Sequence, residues 1–311
     1  MKFSKNILKN GLRVITVPMK DNPTVTVLVL VEAGSKYEDK KVNGISHFLE
    51  HMCFKGTMKR PKAIDISREL DALGSQYNAV TSQEFTGYYA KSDAKHFVKI
   101  LDIVSDIYLN STFPETEMEK EKGVIIEEIN MYEDMPHRHV QDLLTDLLYG
   151  DQPAGWSVLG EKKNITGMKR EDFVKYKKEH YAPKATTIVV AGKISEKLAL
   201  KEIKNIFNDL KNTKKVGKKK VVESQKTPKV LLKYKETDQT HFVFGVRTFD
   251  LFNKRNATLD VLSGILGGGM SSRLFQKLRE EMGVGYYVRS YNDPSTDHGF
   301  FQISAGVDNK R

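Results

Sequence analysis

Hydrophobic and polar positions along the chain switch repeatedly between a period of two and a period near 3.6, the signatures of strands and amphipathic helices. TVTVLVLVEAG (24–34) is β-branched and apolar almost throughout, as a buried strand requires. A helix is predicted from about residue 45, and another over AIDISRELDALG (63–74) with Gly74 as its C-cap. YNAVTSQEFTGYYAKS (77–92) reads as two strands, and helices are expected at about 93–110, 115–134 and 137–149. TTIVVAGKI (186–194) predicts another strand and EKLALKEIKNIFNDL (196–210) a closing helix.

The pattern restarts after a lysine-rich stretch. KVLLKY (229–234) and THFVFGVRTF (240–249) read as strands, ATLDVLSGIL (257–266) and SSRLFQKLREEMG (271–283) as helices, and YYVRSY and GFFQISAGV as strands. RELDALGSQY and KLREEMGVGY each close a helix with glycine and place a tyrosine three residues later, an echo that suggests duplication. The expected class is α+β: a layered domain, with a mixed or antiparallel sheet packed by helices, over 1–212. A linker over 213–225 and a similar but incomplete second domain over 226–311 follow, the last ending directly after a strand.

The helix at GISHFLEHMCFKG carries the chemistry. Ile45, Phe48, Leu49, Met52 and Cys53 form one apolar stripe, and His47, Glu50, His51 and Phe54 a second, displaced by about 200°. Histidines at i and i+4 can both reach one zinc ion, each nitrogen about 2.0–2.1 Å away. Glu50 then lies beside the metal, free to take a proton from the water that zinc acidifies. The order H-x-x-E-H is an inverted zinc-peptidase signature, which a bare five-residue pattern does not establish without a third ligand.

PETEMEKEKGVIIEEINMYED (114–134) offers that ligand. Met118, Ile125, Ile126 and Ile129 mark its buried stripe, with Glu127 nearly opposite and Glu128 at the stripe's edge. Glu128 is therefore the expected ligand, with Glu127 as the alternative. Glu121, one heptad before Glu128, can orient a ligating imidazole.

Composition narrows the field further. With 311 residues and 39% hydrophobic content there is enough apolar material for one or two cores, and no run is long enough to span a membrane. No secretory leader is visible at the N-terminus, and the lone Cys53 fits a reducing compartment, so a cytoplasmic location is expected. The net charge of +10 raises nucleic acid as a partner, but the run KNTKKVGKKK lacks interleaved aromatics and reads as a solvated linker. Neither nucleic acid nor membrane is expected as a partner.

HFLEHMCFKGT and EKEKGVIIEEINMYED together resemble the M16 (pitrilysin) family of zinc peptidases, particularly its short bacterial and mitochondrial-processing-peptidase-like members. The resemblance runs over essentially the whole chain and implies a LuxS/MPP-like metallohydrolase fold. It also implies a zinc-dependent metalloendopeptidase of peptides or small unfolded proteins, with one zinc ion per chain. His47, His51 and Glu128 resemble the ligands, Glu50 the general base and Glu121 the supporting acid. YNAVTS resembles the edge strand on which substrate lies, with Asn78 and Ala79 as its contacts. LREEMGVGY resembles the stretch that supplies Arg279 and Tyr286 to the active site of a partner chain, so a homodimer or a paired M16-like subunit is implied. The alternative is a non-catalytic, peptide-binding or scaffold subunit, although such subunits usually lose the H-x-x-E-H residues kept here.

Overall fold

The structure is a computed structural model that describes residues 2–310. It forms two compact units, residues 2–127 with 157–218 and residues 128–156 with 219–310. Neither unit is one continuous stretch of chain, because 128–156 packs with the C-terminal residues.

The first unit is built on a six-stranded sheet in the order β1-β2-β6-β3-β5-β4. Its strands are β1 (Ser4–Ile7), β2 (Arg13–Pro18), β3 (Thr24–Val31), β4 (Gln76–Thr81), β5 (Thr86–Asp93) and β6 (Thr186–Gly192). β2 and β6 run parallel and every other pair antiparallel, so the sheet is mixed. Val25, Val27, Val29 and Val31 of β3 are buried on one face, and the residues between them are only partly covered. β4 lies at the sheet's edge, with Gln76, Asn78 and Val80 exposed.

Helices α1 (Ile45–Cys53), α2 (Ala63–Ala72) and α3 (Phe97–Asn110) follow, then α4 (Glu115–Asp134), which is continuous over 20 residues. The unit also holds α6 (Lys162–Gly167), α7 (Arg170–His180) and α8 (Glu196–Phe207). Phe48 of α1 packs edge-to-face on Phe173 of α7, with ring centroids 4.8 Å apart, and both are fully buried. Gly74, with φ +60°, follows α2 in the left-handed conformation of a helix C-cap.

The second unit pairs a three-stranded antiparallel sheet with helices. Its strands are β7 (Gln239–Arg247), β8 (Gly285–Pro294) and β9 (Gly299–Asp308), in the order β7-β9-β8. α5 (Pro136–Tyr149) packs on β7, where Leu144 fills the space left by the absent side chain of Gly245. Leu144, Leu148, Tyr149, Ala154 and Phe300 form its core. α9 (Asn256–Gly267) covers β8, and α10 (Arg273–Phe275) continues into a π-helical turn over Gln276–Glu281. The helix expected over 271–283 therefore changes its hydrogen-bonding register partway.

KVLLKY forms no strand. Its Leu232 is 91% exposed and Tyr234 92%, so the apolar character that suggested a strand has no sheet edge to pair with and no surface to bury. No helix among the described residues is long and apolar enough to cross a membrane.

Candidate metal centre

The position of α1 is set at its N-terminus. Gly44, with φ +99°, precedes the helix and has no side chain to cap it. Glu38 does so instead: Oε2 accepts hydrogen bonds from Gly44 N–H and Asn43 Nδ2, and Oε1 from Ser46 N–H, at 2.8–2.9 Å. Burial raises the pKa of this carboxyl, and those hydrogen bonds offset only part of the rise.

From that start His47 and His51, one turn apart, bring their Nε2 atoms to 3.2 Å. The helix is more enclosed than a displayed polar stripe implies: His47 is buried, and Glu50 and His51 are partly so. His51 Nδ1 lies 2.9 Å from Glu121 Oε1, and Lys55 Nζ holds the other oxygen at 2.5 Å. Burial works to raise the Glu121 pKa, but the hydrogen bonds from His51 and Lys55 outweigh it and keep the group a carboxylate. A carboxylate only accepts, so the His51 Nδ1 that faces Glu121 carries a proton. Burial first, then the neighbouring His51, lowers the His47 pKa to about 3, leaving that ring neutral.

His47, His51 and Glu128 each offer one donor atom, and the three atoms lie within 4.8 Å of one another. Glu128 is half-buried, whereas Glu127 is exposed. Two imidazole nitrogens and a carboxylate oxygen are a zinc donor set that leaves a fourth position open. Nitrogens bound tetrahedrally to one ion would be about 3.3 Å apart, close to the separation of these two rings. The residues present fit a zinc ion.

Glu50, on the same helix, accepts a hydrogen bond from Thr81 Oγ1 at 2.8 Å. Thr81 ends the edge strand β4, on which Asn78 is exposed and accepts from Ala79 N–H at 2.9 Å. In the second unit Arg279 and Tyr286 are brought together: Arg279 Nη1 donates to Tyr286 O at 3.1 Å, and the guanidinium lies over the tyrosine ring. The Tyr286 side chain is largely exposed.

Three residues that position α1 or contact the group on it carry no mark in the motif. Lys55 lies one turn after His51 and could have been found by helical spacing, whereas Glu38 caps α1 from the turn just before it and Thr81 reaches it from a strand 31 residues on, neither of which the motif reveals.

H-x-x-E-H on a helix is the signature of the inverted-motif metallopeptidases, and here a glutamate from a following helix lies near both histidines. Residues 13–162 match the family described as Insulinase (Peptidase family M16), and residues 167–311 match the Peptidase M16 inactive domain. A protein of Bacillus subtilis (strain 168) named uncharacterized zinc protease YmxG is 39% identical over 304 residues, covering 96% of this chain and 72% of that protein. An uncharacterized zinc protease of Rickettsia bellii is 36% identical, covering 98% of this chain and 73% of the relative. Among solved structures, a protease from Helicobacter pylori superposes with a TM-score of 0.94 at 25% identity, over 99% of this chain and 75% of that one. The chain belongs to peptidase family M16.

Proposed function

We propose that the protein is a zinc metalloendopeptidase acting on peptides or small unfolded proteins. The observation that carries this reading is the convergence of His47, His51 and Glu128 donor atoms within 4.8 Å, with Glu50 on the same short helix. His47, His51 and Glu128 would hold the ion, and Glu121 keeps His51 in the tautomer that coordinates. Zinc bound there supplies Lewis acidity toward a carbonyl and makes water a nucleophile source at neutral pH.

The remaining work falls to the chain itself. Glu50 takes the proton from the attacking water and delivers it to the leaving amine. Asn78 and Ala79 on the open edge of β4 align an extended substrate by main-chain pairing. Tyr286 and Arg279 donate to the oxyanion, supplied by the partner chain of a homodimer or paired subunit.

The test is zinc analysis alongside a fluorogenic-peptide assay, for wild type and Glu50→Gln, with and without chelator. The expected result is about one zinc per chain in both proteins, with turnover abolished by chelator and reduced at least about 100-fold in the variant. Undiminished turnover in Glu50→Gln, free of contaminating protease, overturns the assignment of Glu50. Zinc binding by a wild type with no turnover on any peptide favours the non-catalytic, peptide-binding alternative.

A further inference from the structure

We infer that Thr81 is a positioning residue for the Glu50 carboxylate, and that the edge strand β4 thereby fixes the base as well as the substrate. This rests on the role given to Glu50 above. The donor is the Thr81 hydroxyl, 2.8 Å from Glu50 Oε2. Thr81 occupies the last position of β4, in register with Thr86 of β5. Tyr77, Ala79 and Thr81 share the partly covered face of the strand, while Gln76, Asn78 and Val80 on the other face are exposed.

The hairpin tip that follows Thr81 is held from a separate stretch of chain. Ser35 N–H and Lys36 N–H donate to Ser82 O and Gln83 O, at 3.4 and 2.9 Å. Lys36, whose side chain is fully buried, pairs with Glu84 at 2.9 Å, and Lys218 pairs with the same carboxylate. Gly34 permits this closeness, since a Cβ there would lie 2.3 Å from Ser82 O. Thr86 Oγ1 donates to Ala33 O at 2.9 Å, closing the clamp from the other strand. Thr81 is thus held from both sides of the hairpin, and its hydroxyl transmits that fixed position to Glu50. A carboxylate aimed by a hydroxyl on a rigid strand loses fewer orientations before it takes a proton, an effect expressed in turnover rather than in substrate affinity.

The experiment compares Thr81→Val and Thr81→Ser with wild type and Glu50→Gln on one fluorogenic peptide, measuring kcat, KM and bound zinc. Valine keeps the shape and removes the donor, while serine restores it. The expected result for Thr81→Val is a kcat lower by roughly 10- to 100-fold, with KM within about twofold and zinc content unchanged. Thr81→Ser should recover most of the loss. A Thr81→Val protein with wild-type kcat beside an inactive Glu50→Gln overturns the inference and leaves the role of Glu50 standing. Loss of zinc, or a defect that serine does not rescue, also overturns it by making Thr81 merely structural. An active Glu50→Gln removes the reading beneath it.

Discussion

Single side chains matter here chiefly through the company they keep. His47, Glu50 and His51 were legible because i, i+3 and i+4 on a helix share a face, a fact of helical geometry that needs no tertiary structure. The preference for Glu128 over Glu127 likewise followed from the apolar stripe of one helix. The hydroxyl of Thr81 was not legible, because its contact with Glu50 depends on where the sheet register ends β4. Arg60 is a similar case away from the site. Its buried guanidinium bonds Glu69, Asp102 and Asp106, with the Arg60 and Asp106 side chains 4% and 0% exposed. Arg60→Met should therefore cost about 3–5 kcal/mol in urea denaturation, since it leaves the buried Asp106 carboxylate without its charge partner and with only the Thr57 and Asn110 hydrogen bonds. The same cluster sets an acid dependence. The Arg60 hydrogen bond holds the Glu69 pKa low, and for Asp102 burial pushes the pKa up while bonds from Lys59 and Arg60 more than reverse it. Carboxylates with depressed folded pKa values stabilise the fold above their unfolded values and lose that contribution as pH falls. Wild-type stability should accordingly decline below about pH 4, and Arg60→Met should show a shallower decline over that range.

Among elements, those with strong periodicity were readable and those with mixed character were not. β3, α1, α3 and α4 carry apolar stripes or runs that local pattern identifies. β1 has four residues, none of them fully buried, and only its pairing with β2 makes it a strand. α7 is mostly charged and rests on Phe173, Tyr176 and His180, too few to stand out from its lysines. KVLLKY shows the opposite error, since strand-like composition does not make a strand without a neighbour. The clamp between 34–36 and the β4–β5 hairpin makes a prediction at this scale. Gly34→Ala would drive a Cβ into Ser82 O at 2.3 Å and Gln83 O at 2.7 Å. The expected cost is about 1–3 kcal/mol in thermal or urea unfolding, because backbone atoms cannot swing aside as a flexible side chain would.

At the level of the whole molecule, the proposed ion joins donors from α1 and α4, residues far apart in sequence. A ligand that binds only the folded state stabilises it by mass action, by about 4 kcal/mol at a thousandfold excess over Kd. Stripping zinc with chelator should therefore lower the melting temperature by several degrees in differential scanning fluorimetry, and adding zinc back should restore it. An unchanged melting temperature would count against metal binding by the native state. α4 has one more consequence. The division between the two compact units falls between Glu127 and Glu128, inside a helix with no break, and the chain crosses that division again after residues 156 and 218. The first unit cannot be excised by cutting at a loop: a cut at the first crossing severs α4 just before Glu128, and one at the second leaves behind a segment native to the other unit.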